Sequence, residues 1–272
     1  MYIRYNRTTK REWIRKSMGV NTESFVIEAF GKKSAFIGDD AAVIGQCLYS
    51  QDAFFENVHF KSVWMSYYQI GYKAMIVNIS DAIAMNAQPK YALLTLALPK
   101  SMTKKELLDL MQGLNDAAAL HGCEIVGGDT IANSKLDISI TIVSKSKKVL
   151  QRRHVKDGDM LAYTGVLGLV KRDMQRLFRG GKLGPSSRFI RPVLRKEFVQ
   201  KSFRHLHSGM DISDGLYENS RKLTNLINRC FKPKKRLPSS LVCSGEEYEM
   251  LVSFSPKKRK TDKHLILFSA TD

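Results

Sequence analysis

None of the four cysteines, Cys47, Cys123, Cys230 and Cys243, stands at Cys-x-x-Cys spacing from another. That excludes the usual zinc and redox patterns and marks these as reduced thiols of a cytoplasmic protein. No apolar stretch reaches the length that crosses a bilayer, and the N-terminus carries charge without an apolar segment. A membrane span and a secretory signal are therefore not expected. No low-complexity tract or fixed-period repeat is present. Acidic residues are scarce, with 26 Asp and Glu against 44 Lys and Arg, a net charge of +18. Such an excess implies an anionic partner: nucleic acid, an anionic surface, or phosphorylated small molecules. Basic residues dominate an N-terminal arm over 1–20 (Arg4, Arg7, Lys10, Arg11, Arg15, Lys16) and the run Lys257-Lys258-Arg259-Lys260. Both read as solvated surface. There is also no G-x-x-x-x-G-K-[ST] loop and no kinase-type glycine loop with its lysine.

What is present is enough for a core, with 272 residues and 43% hydrophobic content. The chain is organised around Phe36-Ile37-Gly38-Asp39-Asp40-Ala41-Ala42-Val43-Ile44, where two adjacent carboxylates precede an apolar run. A strand is expected over Ala35–Ile44, with neighbouring side chains on opposite faces, so that Asp40 faces the site and Asp39 faces outward. The alternative reading is a Gly-Asp-Asp turn.

Acidic motifs recur. A helix is expected from Tyr67 to about Asn86, ended by Pro89. Its apolar stripe, Ile70, Ala74, Val77, Asp81 and Ala84, contains a carboxylate that wants a cation. Thr103-Lys104-Lys105-Glu106 is a capping box opening a second helix that Gly122 ends. A short strand, Cys123–Val126, should deliver Gly127-Gly128-Asp129-Thr130 as a loop open to close backbone approach by phosphates. Leu136–Val143 alternates as a half-buried strand. The pattern breaks around Ser144–Lys148, which suggests a domain boundary. Beyond it, Met160–Thr164 leads through Gly165 and Gly168 into a helix to Phe178, and a further helix is expected near Ser187–Phe203. Asp211-Ile212-Ser213-Asp214-Gly215 runs from a strand into a helix. Gly245-Glu246-Glu247-Tyr248-Glu249 precedes the strand Met250–Phe254. Strands alternating with helices argue α/β or α+β architecture.

Carboxylate-rich strand ends in a basic protein suggest hard divalent cations holding a polyphosphate. The order of motifs resembles the thiamine-monophosphate kinases, of the superfamily of aminoimidazole ribonucleotide synthetase and selenophosphate synthetase. The matching residues are Ile37-Gly-Asp-Asp-Ala-Ala-Val43, Asn57-Val-His-Phe60, Tyr72 to Met85, Gly127 to Thr130, Asp211 to Leu216, and Gly245 to Glu249. Together they cover the chain from about Ser24 to Phe254.

The resemblance implies a two-domain fold: a mixed-sheet N-terminal domain over 21–145 that dimerises through its strands, and a C-terminal α/β domain over 146–272, shorter than the family's at its end. It implies transfer of the ATP γ-phosphoryl group to thiamine monophosphate, with several Mg²⁺ ions. Asp40, Asp52, Asp81, Asp129, Asp211 and Asp214 correspond to metal ligands, with Asp40, Asp129 and Asp214 nearest the chemistry. Gly128, Asp129, Arg152 and Ser213 correspond to nucleotide contacts, and His59 and Glu246 to contacts with the acceptor. Two departures stand out: Gln51-Asp52-Ala53 where the family has Thr-Asp-Thr, and Glu247 where it has aspartate. The rival enzyme reading is a superfamily member activating a carbonyl or selenide; no cysteine lies in the N-terminal arm to serve selenium chemistry. A nucleic-acid-binding protein would explain the charge but not the acidic motifs.

Overall fold

The structure, a computed structural model, describes residues 22–228, 230–233, 237–256 and 266–271; the basic arm and the Lys257–Lys260 run lie outside them. The chain divides into two compact units, Met1–Gly38 and Asp39–Asp272. In the first, the described element is helix α1 (Thr22–Gly31), which exposes Phe25 and Phe30.

The second unit begins at the Asp39-Asp40 pair. Strands β1 (Ala42–Ile44) and β2 (Cys47–Phe55) lead to helix α2 (Tyr67–Ala84), strand β3 (Gln88–Pro99) and helix α3 (Lys104–His121). Strands β4 (Glu124–Asn133) and β5 (Asp137–Lys145) complete a five-stranded mixed sheet, ordered β1-β2-β5-β3-β4. Only β3 and β4 run parallel in it. Strand β6 (Met160–Tyr163), helix α4 (Leu169–Phe178) and helix α5 (Lys196–Ser202) follow. Then come β7 (Ser208–Asp211), α6 (Leu216–Asn225), β8 (Cys230–Pro233), α7 (Ser239–Val242), β9 (Met250–Phe254) and β10 (Ile266–Thr271). These five strands form an antiparallel sheet ordered β7-β9-β6-β10-β8. No described helix is long and apolar enough to cross a membrane.

Helix α2 is the spine of the unit. Ser66 and Gln69 close a reciprocal capping box at its start, and Ile70, Ala74, Met75, Ile76, Val77, Ile79, Ala82 and Ile83 are buried. It packs on α3 at a glycine crossing. A Cβ on Gly71 would lie 2.2 Å from the Leu110 carbonyl oxygen, and one on Gly113 would lie 2.0 Å from that of Tyr68. At α3 the expected box is present, since Thr103 accepts from the Glu106 amide and Glu106 from the Thr103 amide. Gly122 caps its end at φ 68°.

Three expectations are corrected. The strand anticipated over Ala35–Ile44 is confined to Ala42–Ile44; residues 38–41 bend, so Gly38-Asp39-Asp40 lies outside any strand, as the turn reading had it, though no described strand precedes it. The Gly127-Gly128-Asp129-Thr130 stretch is not a loop: β4 continues through it, because Leu93 to Leu96 pair with all four residues. A Cβ on Gly128 would lie 1.7 Å from the Leu94 carbonyl oxygen, so the glycine serves strand packing. The helix anticipated near Ser187–Phe203, beginning around Arg191-Pro192, starts only at Lys196 and ends at Ser202; Pro192 disfavours helical backbone at Arg191, and the chain from there to Arg195 is irregular.

Candidate active site

Three carboxylates from three separate elements converge. Asp40 comes from the bend before β1, Asp81 from the last turn of α2 and Asp211 from the end of β7. Each offers an oxygen such that all three lie within 4.8 Å of one another. Asp81, singled out by the α2 stripe, lies among buried Val77, Ala82 and Ala84 and offers an oxygen to this cluster.

The electrostatics of the cluster are unbalanced. Burial pushes the Asp40, Asp81 and Asp211 carboxyls up, Asp211 to about 7 and Asp81 well above the ordinary carboxylate range. Mutual repulsion adds to this. Asp52, in β2, keeps solvent contact, but crowding by protein atoms and the charges of Asp40 and Asp214 also push it up. Arg152, in the short 3-10 turn Arg152–His154, opposes them by donating through Nη2 to Asp40 Oδ1, and the charge of Lys222 adds to its effect on Asp40. Asp40 Oδ2 is buried without a hydrogen-bond partner among the described residues.

The surroundings fix these groups. Ser80 Oγ donates to Asp211 Oδ2 at 2.7 Å. The Asn78 side-chain oxygen accepts from the Asp52 amide at 2.9 Å, tying β2 to α2. Asp39 does not face outward as expected. It is half-buried and accepts the Arg152 amide at 3.1 and 3.3 Å, and burial raises its carboxyl to about 6. Asp39 thus holds the backbone that carries Arg152, while Asp40 takes the side chain. Asp214 sits at the solvent edge, 2.6 Å from Lys222, with its amide donating to Asn219. The Ser213 carbonyl oxygen accepts from the Glu246 amide at 2.7 Å, joining the two motifs. Asp129 is not brought into the triad; it is exposed on β4 and accepts its neighbour's amide, that of Thr130.

A hard, oxygen-seeking divalent cation fits this donor set. The three carboxylates supply oxygens only, carry more negative charge than Arg152 offsets, and include a buried oxygen that lacks a protein donor.

His59 and Glu246, far apart in sequence, form a second cluster. His59 Nδ1 accepts from the Phe55 amide at 3.0 Å, and its ring stacks on Phe54 at 5.7 Å. Burial lowers its pKa, Glu246 pulls it back up, and Lys73 lowers it again, so the neutral ring carries its proton on Nε2. Lys73, on α2, is wholly buried and donates to Glu246 Oε2 at 2.6 Å. The residue reading above did not single it out. A signal existed: Lys73 and Asp81 are the only charged residues between Tyr67 and Ala84 and lie eight apart, on one helical face.

The other acids of the Gly245–Glu249 motif turn elsewhere. Glu247 accepts from the Gly168 and Val170 amides at the start of α4, at 2.7 and 3.3 Å, a carboxylate on a helix N-terminus. Glu249 takes Arg195 through two bonds of 2.6 Å. The extra methylene of Glu247 therefore serves the helix rather than the site.

Residues 38–145 match the family described as AIR synthase related protein, N-terminal domain. The thiamine-monophosphate kinase of Aquifex aeolicus is 29% identical over 255 residues, covering 84% of this chain and 83% of that one. That of Rhodopirellula baltica is 36% identical over 194 residues, covering 66% and 57%. The solved structure of AaThiL complexed with AMPPCP and TMP superposes with a TM-score of 0.81 at 25% identity, covering 94% of this chain and 90% of that one. Residues 38–145 thus form an AIR synthase-related N-terminal domain, and over most of its length the chain is similar to the thiamine-monophosphate kinases.

Proposed function

We propose that the protein transfers the γ-phosphoryl group of ATP to thiamine monophosphate, giving thiamine diphosphate and ADP. The observation that carries the reading is the convergence of Asp40, Asp81 and Asp211, with Arg152 bound to Asp40. The relatives bear the name of this activity, and AaThiL holds AMPPCP, an ATP analogue, with TMP.

Asp40, Asp81 and Asp211 are the core metal ligands in this proposal, with Asp52 and Asp214 at the rim. Mg²⁺, when bound, would neutralise phosphate charge and relieve repulsion between donor and acceptor. Asp129, Gly128 and Ser213 are assigned to the nucleotide and its metals by resemblance. Arg152, once released from Asp40, adds a guanidinium for the phosphates. His59 presents Nε2–H toward the acceptor, and Phe54 gives that ring a stacking face. The acceptor phosphate is already an anionic nucleophile, so transfer needs positioning and charge neutralisation rather than a general base. A homodimer is part of the proposal. β4 lies at the sheet edge and exposes half of Val126 and of Ile131, a surface that a second copy would cover. Cytoplasmic residence accords with the free thiols of Cys47, Cys123 and Cys243.

ATP consumption measured with thiamine monophosphate, thiamine and other phosphorylated acceptors tests the reading. Mg²⁺-dependent turnover confined to thiamine monophosphate is expected. Turnover of a different acceptor, or salt-dependent RNA retention without ATP turnover, would overturn it.

A further inference from the structure

We propose that Lys73 is the positioning residue of the acceptor subsite, fixing which oxygen of Glu246 is presented to substrate. The inference rests on the kinase reading above and goes beyond it. Nothing in the folding of α2 calls for a lysine at this position. A fully buried ammonium loses its hydration and persists only where a partner restores it. Lys73 has Glu246 Oε2 at 2.6 Å, and its ammonium lies 3.6 Å from the ring centroid of Phe189 and 5.6 Å from that of Phe54. The charge is held by one carboxylate and two aromatic rings.

Glu246 is held from both ends. Its backbone takes φ 56°, a left-handed conformation rare for a side-chain-bearing residue, and Tyr248 takes φ 52°. Hydrogen bonds from the Glu246 amide to the Ser213 carbonyl (2.7 Å) and from the Tyr248 amide to the Ile212 carbonyl (3.0 Å) impose that backbone. Lys73 then fixes the side chain. Oε2 is engaged by the ammonium, and Oε1 has no hydrogen bond among the described residues. The neutral His59 ring feels the charges of Glu246, Lys73 and Asp137. A carboxylate oxygen left free of protein donors and an imidazole N–H that feels that carboxylate's charge, with Phe54 stacked on the imidazole, suit an N–H-bearing heteroaromatic ring. Without Lys73 the carboxylate is free to rotate, and an uncompensated charge stands in the subsite. Lys73 also lies two turns before Asp81 on the same helix, so one rigid element sets both the acceptor contact and a triad carboxylate.

The test is a cycle of Lys73→Met, Glu246→Gln and the double variant, with Lys73→Gln as the conservative change that keeps an N–H donor. Steady-state kinetics are read for both substrates, beside thermal unfolding. Lys73→Met is expected to raise the KM for thiamine monophosphate about ten-fold or more while the KM for ATP stays within about two-fold. Lys73→Gln should recover part of that loss, and the double variant should be no worse than Glu246→Gln alone. If Lys73→Met does not fold, Lys73→Gln and Glu246→Gln carry the test through the same split between acceptor and ATP. A folded Lys73→Met enzyme with an unchanged acceptor KM would overturn the assignment. So would equal rises for both substrates, or losses that add fully in the double variant. A wild type that does not turn over thiamine monophosphate would overturn the kinase reading itself, and with it this one, by a separate observation.

Discussion

Ser80 Oγ donates to Asp211 Oδ2 at 2.7 Å, and that bond joins helix α2 to the first strand of the antiparallel sheet. Ser80 is followed by Asp81, so one turn of helix supplies both a carboxylate and the hydrogen bond that orients another. The triad is therefore assembled by packing α2 against β7, and Asp40 enters from the bend that Asp39 and Arg152 pin in place.

Asp81→Asn is expected to lower turnover by about 100-fold or more, since it removes a ligand charge without changing shape, with incomplete rescue by added Mg²⁺. The same substitution should raise the melting temperature in chelator, because Asp81 is half-buried, crowded by protein atoms and repelled by Asp211, Asp52 and Asp40. Unaltered turnover, or a fall in metal-free stability, contradicts the assignment.

The raised carboxyls set a pH dependence. Asp211 titrates at about 7 in the fold and from an ordinary value of 3.8 when unfolded. Between those values the folded chain binds more protons than the unfolded chain, so this group's contribution to metal-free stability declines as pH rises. In chelator, the wild type should lose stability relative to Asp211→Asn on going from about pH 5 to pH 7. Mg²⁺ must displace the same protons, so its affinity should rise over that interval. Parallel stability profiles for the two proteins would show that Asp211 is not the group responsible.

Gly113→Ala should destabilise the protein despite the better helix propensity of alanine. The new Cβ would stand 2.0 Å from the Tyr68 carbonyl oxygen, forcing α2 and α3 apart. A loss of about 2 kcal/mol or more is expected in urea unfolding, against a propensity gain of about 1 kcal/mol. A variant as stable as the wild type would mean that the helices part without strain.

Light scattering at micromolar concentration should report a homodimer. Ile131→Lys, placed on the exposed edge strand β4, should shift it toward monomer. A wild-type monomer with full activity would remove the dimer from the account.

Local signals were legible in the sequence. The Thr103–Glu106 box and the Gly122 cap depend on residues a few positions apart, and Asp81 is exposed as an anomaly by the helical period alone. What escaped depends on partners distant along the chain. Lys73 meets Glu246 across 173 positions, and Asp39 meets the Arg152 amide across 113. Local pattern marks Lys73 as one of two charges on an apolar helix, but it does not name the distant carboxylate that pairs with it. The stretch from Gly127 to Thr130 has the composition of a loop, but pairing with β3 keeps it in the strand. The helix before Phe203 starts later than expected, at Lys196; Pro192 accounts for the non-helical Arg191 but not for the residues between.

The central claim is direct transfer of the γ-phosphoryl group from ATP to the phosphate of thiamine monophosphate. It is tested most directly by following a γ-labelled ATP, chiral at the γ-phosphorus, through one turnover with Mg²⁺. The account predicts that the label appears in thiamine diphosphate with inverted configuration, in step with ADP. Label recovered as inorganic phosphate in step with product, or retention of configuration, would contradict it.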